Sequence, residues 1–339
     1  MDLLPTAEQD EIVTTVRSQL ERDFDLHALA ARDGADQVVD RDLWRRCAEL
    51  GWFGLGLAEQ HGGVGYTLVE EALLFAEVGA HATPGPFLAT VLVARLAAQA
   101  GDDALAAAVL GGERTVALAE PEGDATVGAT VTGTFRVTDH GGADLVLAVG
   151  DDGAALLDAA AVAVTPLASL DPLVPLGVAT LDDAAALVAV DDAVDLRLRG
   201  TVLVAAELAG IATATAAQST EYAKDREQFG RPIGSFQAVK HRCTDMAVRA
   251  EAATSLVRYA ALAVVDGLDD AAFHAHAART VAADAAVANA QVNVQNHGGI
   301  GFTWEHTAHR FVTRAQLRSR TVGDRRRHLA LLLARPTPG

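Results

Sequence analysis

The sequence predicts a mainly α fold with a small central β domain. Apolar residues recur at helical spacings of three and four through residues 7–112 and again from about Leu196, and between these stretches the pattern shifts to short β-branched runs separated by Gly and Asp. Composition agrees: half of the 339 residues are hydrophobic but only 5% are aromatic, and Ala is abundant, which suits closely packed helices in two or three subdomains. The expected organisation is an N-terminal helical domain at 1–113, a reduced β domain at 114–195 and a C-terminal helical bundle at 196–339.

In the N-terminal part the periodicity gives helices over Glu8–Arg22, Asp42–Leu50, Leu68–Val78, Ala89–Ala98 and Asp103–Leu110, with Gly and Pro in the breaks. The glycine-rich run from His61 to Gly65 follows no strand, so it reads as a turn rather than a dinucleotide fingerprint. β-branched runs at Thr126–Thr132 and Ala143–Val149 mark the β domain, whose strands are expected to be short. Helical periodicity resumes at Leu196 and closes at Arg226, where Gly230 and Pro232 supply stop signals. The next helix opens at about Ser235, with Phe236 and Gln237 at its start. Its apolar positions Val239, Cys243, Met246, Ala250, Ala253, Val257, Ala260 and Val264 form one seam on a helix about 45 Å long, from a rise of roughly 1.5 Å per residue. Patterns at Asp269–Gln295 and Trp304–Ser319 complete a bundle.

Several function classes are excluded. A formal charge of −18 disfavours a wide nucleic-acid contact, which needs a basic face. The apolar runs are broken by Asp, Arg or Gly before the roughly 20 residues of a membrane span, and the first residues are unlike a signal peptide, so a cytoplasmic protein is expected. Cys47 and Cys243 lack metal or redox spacing and fall in helical apolar patterns, as reduced core thiols do. Charge is uneven: residues 114–195 have only Arg114 and Arg136 as bases, whereas Arg310 to Arg327 carries seven arginines. That run reads either as a solvated helix face or as a subunit or cofactor contact. His306 and His309 share a helix face, and His274 and His276 lie in an earlier helix. No carboxylate or Cys set completes a site with them, so solvated or capping histidines are expected and no metal is assigned.

The segment from Tyr222 to Met246, YAKDREQFGRPIGSFQAVKHRCTDM, joins two long helical patterns through a turn crowded with groups suited to an anion. Unpaired N–H groups and the positive dipole end at a helix start attract phosphate, so the turn suits a pyrophosphate clamp. This segment resembles the C-terminal motif of the flavin-dependent acyl-CoA dehydrogenase family, in which two such helices belong to a four-helix bundle. QNHGGIGFTWE, Gln295 to Glu305, and the stretch from Leu43 to Gly79 resemble the same family. The resemblance covers most of the chain, with residues 114–195 the poorly matched part. It implies FAD, with Arg226 and Gln237 holding the pyrophosphate and ADP portion and Phe229 lining that site. Gln295, Gly298 and Gly299 would approach the ADP portion from a neighbouring subunit. A guanidinium makes charge-assisted bonds worth about 1.5–3 kcal/mol, and glycine lets backbone come close to an anion. The competing reading is that Arg226 and Gln237 merely tie the turn together.

The family's reaction removes the proton α to an acyl-CoA thioester while hydride leaves the β-carbon for flavin, and it needs a carboxylate base. The two family positions for that base fall on Val322 and Gly200, which accept no proton, so no catalytic residue is assigned. Asp324 is expected to point elsewhere in a tight turn, and Glu207 to pack at a helix interface. Val116 to Pro121 resembles the strand that contacts flavin, but Ala119 stands where a hydroxyl residue is usual, and no tryptophan follows in the β domain. The resemblance is closest to the shortened, base-less subunits of α2β2 bacterial enzymes that oxidise CoA thioesters of steroid side chains. It implies a homologous catalytic partner that supplies the glutamate and the flavin-binding β domain, with FAD shared at the subunit interface. The alternatives are a stand-alone dehydrogenase with an unrecognised base and a FAD-free homo-oligomeric scaffold.

Overall fold

A computed structural model describes residues 3–35, 38–151 and 153–334. The first helices are α1 (Ala7–Asp23), α2 (Leu26–Leu29), α3 (Arg41–Glu49), α4 (Leu68–Ala80), α5 (Phe87–Ala100) and α6 (Asp103–Leu110). The strands follow: β1 (Val116–Pro121), β2 (Thr126–Val127), β3 (Thr130–Thr138), β4 (Leu145–Val149), β5 (Ala154–Asp158), β6 (Thr165–Leu167), β7 (Leu176–Ala185) and β8 (Val188–Val190). Then come α7 (Val194–Asp225), the small strands β9 (Glu227–Gln228) and β10 (Arg231–Pro232), α8 (Gln237–Val265), α9 (Ala271–His297), α10 (Ala308–Arg318) and α11 (Arg325–Leu333). With 59% of the described residues helical, the mainly α class with a small central sheet holds. The chain divides into two compact units, one of Met1–Ala28, Ala72–Thr83 and Thr201–Gly339, the other of Leu29–Glu71 and Pro84–Gly200.

In the second unit the sheet runs β6-β7-β3-β1-β4-β5-β8, with β2 on β3. Every pair is antiparallel except β1 with β4. Phe135, Val137, Val146 and Leu157 build its apolar face, and Ala119 is buried among them. The expectation of short strands fails for β3 and β7, which have nine and ten residues. Gly133 sits at φ 138° where the β3–β7 register shifts, so the bulge breaks the sequence pattern without ending the ladder.

In the first unit α4 and α7 touch backbone to backbone. A Cβ added at Gly79 would lie 1.9 Å from the Glu207 carbonyl oxygen, and one at Gly210 would lie 1.9 Å from that of Ala76, so only glycine permits the crossing. Every residue from Thr201 to Ala212 is buried. Contrary to the sequence reading, α7 is long and apolar enough to cross a membrane by length and composition. Its most apolar window is 83% buried, which marks a core helix.

The basic run is neither of the two things expected of it throughout its length. Arg310, Arg314 and Arg318, four residues apart on α10, turn inward and are buried. Arg314 Nη1 donates to the Thr83 carbonyl at 2.7 Å, and Arg318 Nε pairs with Glu207 Oε1 at 2.8 Å. The exposed arginines are Arg320 and Arg325 to Arg327. On α8 the seam is buried at Met246, Ala250, Ala253, Val257 and Ala260, but Val239, Cys243 and Val264 are half-buried. Cys47 is a core thiol as expected; Cys243 sits at the edge, with its pKa raised by partial burial.

Candidate functional site

The turn between α7 and α8 is a two-stranded hairpin. Phe229 and Gly230 occupy its tip at φ 56° and 78°, the two positive values of a type I′ turn. Glycine takes this conformation freely, but a bulky residue there is a backbone outlier of the kind that collects at ligand clamps. The Phe229 ring is also 91% exposed. The backbone holds the turn: the Ile233 N–H donates to the Arg226 carbonyl at 2.8 Å, and β9 pairs with β10. Arg231 lies 4.2 Å above the ring of Phe236, which meets Phe229 edge-on at 6.0 Å.

The side chains of Arg226 and Gln237 add no contact to this scaffold. Both are exposed, and their side chains make no hydrogen bond or ion pair among the described residues, so the turn-tying reading gains no contact. Gln237 is the first residue of α8, and no side chain caps that helix, which leaves first-turn N–H groups for an acceptor.

Gln295 is exposed near the end of α9, again without a side-chain partner among the described residues. Gly298 has φ 66°, and a Cβ added at Gly298 or Gly299 meets nothing within 4 Å, so backbone here faces open ground. The segment from Gly298 displays Ile300, Phe302 and Trp304, which are 48%, 73% and 70% exposed. Tyr222, near the end of α7, stacks on His297 at the end of α9 with ring centres 4.2 Å apart. That contact brings both sequence motifs to one end of the helical unit. Neither the stack nor the exposed apolar trio was read from the sequence, although the concentration of aromatics in a glycine-rich stretch was an available signal.

The two positions that the resemblance assigns to the base lie in different settings. Gly200 is buried within α7 in the second unit. Val322, in the first, has φ 58°, which is an outlier for a β-branched residue. Its turn is pinned by the fully buried Arg279, whose Nη2 donates to the carbonyls of Arg318, Thr321 and Gly323 at 2.9, 2.8 and 3.3 Å. His328 Nε2 lies 3.0 Å from the Val322 carbonyl and Nδ1 lies 3.1 Å from His276 Nδ1. Burial, then the neighbouring Arg279 charge, pushes His328 down to about 3, so it is a neutral donor to Val322.

Nearby acids are committed to structure. Glu207 is the counter-charge of Arg318, and Asp324 caps α11 by accepting from the Arg327 N–H at 2.9 Å. His306 accepts from the Ala308 N–H at the start of α10, as a capping histidine should, whereas His274 pairs with the Asp270 side chain from inside α9 and His276 is buried against His328.

Family models describe both helical parts: the acyl-CoA dehydrogenase N-terminal domain matches residues 6–112 and the C-terminal domain 199–335. A curated relative, acyl-CoA dehydrogenase IpdE2 of Mycobacterium tuberculosis, is 33% identical over 92% of this chain and 92% of its own length. The chain belongs to the acyl-CoA dehydrogenase family. FadE34 of the same organism, also an acyl-CoA dehydrogenase, is 38% identical over 81% of this chain, which spans only 40% of FadE34. Among solved structures, the ChsE4–ChsE5 complex from Mycobacterium tuberculosis has a chain that matches with a TM-score of 0.86 and 28% identity over 100% of both chains. A steroid acyl-CoA dehydrogenase variant, Tcur3481–Tcur3483, matches at 0.85 and 27%, covering 96% of this chain and 97% of its own. Membership of this family implies FAD as the cofactor.

Proposed function

We propose that this chain is the base-less subunit of an α2β2 FAD-dependent acyl-CoA dehydrogenase that places an α,β double bond in an acyl-CoA, with a steroid side-chain thioester as substrate. The resemblance puts Val322 and Gly200 at the base positions, and one observation carries the reading: the acids near them in sequence are committed elsewhere, Asp195 to Arg95, Glu207 to Arg318 and Asp324 to the start of α11. A homologous subunit therefore supplies the glutamate that takes the α-proton. Among the similar structures, one is a two-component complex and one is described as a steroid enzyme, which supports partner and substrate class.

Hydride uptake from the acyl β-carbon is the chemistry that bound flavin supplies. This chain's part is to hold the dinucleotide end. Arg226 offers a charged fork to the pyrophosphate, and the uncapped start of α8 beside Gln237 offers N–H donors. Gln295, Gly298 and Gly299 bring polar backbone close to the ADP portion of a site completed by the partner. Ala119 adds no hydroxyl at the ring end, which leaves that work to the partner's β domain.

The test is to purify the chain alone and after co-expression with its homologue, then measure mass and flavin per protein. The chain alone should be flavin-poor, and the pair should form a yellow two-plus-two complex. A stable homotetramer with one FAD per chain overturns the proposal.

A further inference from the structure

Histidines converge where α9 ends and the glycine segment begins. His297 is buried; its Nδ1–H donates to the Asn293 carbonyl at 2.8 Å, and its own carbonyl accepts from the Tyr222 hydroxyl at 3.4 Å. The ring of His306 lies 4.5 Å from that of His297, so the chain leaves one histidine, runs through Gly298 to Glu305, and returns to the other.

His306 has a second contact that fixes its tautomer. Its Nδ1 lies 3.1 Å from the Ala308 N–H, the first residue of α10, and accepts that bond. The neutral ring therefore carries its proton on Nε2, and an added proton can go only to Nδ1. Protonation would turn the acceptor into a donor facing a donor. The residue at the cap position of α10, Thr307, makes no side-chain cap of its own to take over.

The groups acting on His306 come from each neighbouring element: His297 at the end of α9, His27 in α2 and His309 in α10. Tyr222 of α7 bears on it through the His297 stack. All three are histidines, and no carboxylate stands among them to welcome an added proton.

We propose that His306 positions the Gly298–Glu305 segment, held between His297 and the start of α10, and that protonating it loosens the segment's hold on the ADP end of the flavin. The inference rests on the flavin-sharing reading above. Burial first, then the neighbouring histidines, holds His306 below the usual imidazole range, and burial does the same for His297. A depressed histidine means that the folded segment binds fewer protons than the unfolded chain. Its contribution is fully present above the ordinary value of about 6.5 and is lost as pH falls below it.

The experiment follows FAD release from the assembled complex at about pH 7.5 and about pH 5.5, on either side of the ordinary imidazole value. Amide exchange of residues 298–305 is followed alongside, in the complex and in the flavin-free chain. Wild-type protein should release FAD about fivefold to tenfold faster at the lower pH, the size expected from one lost helix cap, with faster exchange in the segment. His306→Asn keeps an acceptor near the Nδ1 position and does not titrate, so it should match wild type at the higher pH and lose the pH dependence. His306→Phe should be fast at both. The same pH slope in wild type and His306→Asn overturns the inference, as does exchange in the segment that ignores pH. A complex without flavin at any pH would sink the flavin-sharing proposal, while exchange in the flavin-free chain would still decide this one.

Discussion

Two stretches of the first unit, a few turns of chain apart, are built on opposite plans. From Thr201 to Ala212 every residue of α7 is buried, with Gly210 against the backbone of α4 and Glu207 paired to Arg318. From Arg226 to Asp245 no residue is buried, although the hairpin and the first turns of α8 are fully formed. Burial accounts for the first. The second holds its shape through backbone hydrogen bonds, a stacked Arg231 and a Phe229 kept at positive φ. Beyond its edge contact with Phe236, a large exposed ring in a costly conformation does little for the isolated chain. The difference separates residues that hold the fold from residues held out for something else, and substitutions in the two stretches should fail in different ways.

The largest effect is expected at Glu207. Glu207→Gln removes the charge that Glu207 sets against the buried Arg318 guanidinium, and breaking one partner of such a pair costs about 3–5 kcal/mol. Denaturant unfolding of the chain should show that loss. Turnover per assembled complex should stay within a few-fold, because removing a general base would cost about 10² or more. A stable variant with collapsed turnover would make Glu207 the missing base and erase the contrast between the stretches.

How much of this was legible depended on whether the sequence pattern carried the physics. Helix positions came through well: Glu8–Arg22 was expected and α1 is Ala7–Asp23, while α6 matches its expected bounds. The apolar period is strong there. The motif at Arg226 to Gln237 was legible as a turn before a helix, but Phe229 at positive φ was not, since that value belongs to the folded hairpin. α11 was missed because it opens with three arginines and buries only His328. The inward arginines of α10 were misread because Arg normally marks a wet face. Their spacing of four was the visible clue, but the Thr83 carbonyl and Glu207 that receive two of them are distant in sequence. The capping nitrogen of His306 lay equally out of view, because a histidine's tautomer is set by its neighbours.

An intermediate effect is expected at Arg226, with the opposite profile from Glu207. The side chain is exposed and has no partner among the described residues, so Arg226→Ala should change stability by less than about 0.5 kcal/mol. Flavin content of the purified complex should fall, and excess FAD should restore activity by mass action. Unchanged flavin content with normal assembly would remove Arg226 from the site and leave the exposed stretch without its main anion contact.

The smallest effect is expected at Asp324, and it sharpens the comparison by testing an acid that is exposed yet structural. Asp324 lies two residues beyond Val322, so proximity alone makes it a candidate proton acceptor. Its Oδ1 instead accepts from the Arg327 N–H at 2.9 Å, and its backbone is extended, as a residue before a helix should be. Asn caps a helix about as well as Asp, and only the attraction of the charge to the helix dipole is lost, a few tenths of a kcal/mol at an exposed end. Asp324→Asn should therefore leave stability within about 0.5 kcal/mol and kcat within a few-fold. Asp324→Ala should cost about 1 kcal/mol of stability, with turnover still intact. Both variants should keep wild-type flavin content in the complex. A drop in kcat of about 10² in the Asn variant, with stability and flavin content intact, would make Asp324 a proton acceptor in spite of its cap. The chain would then carry its own base, and the catalytic partner would no longer be needed to explain Val322.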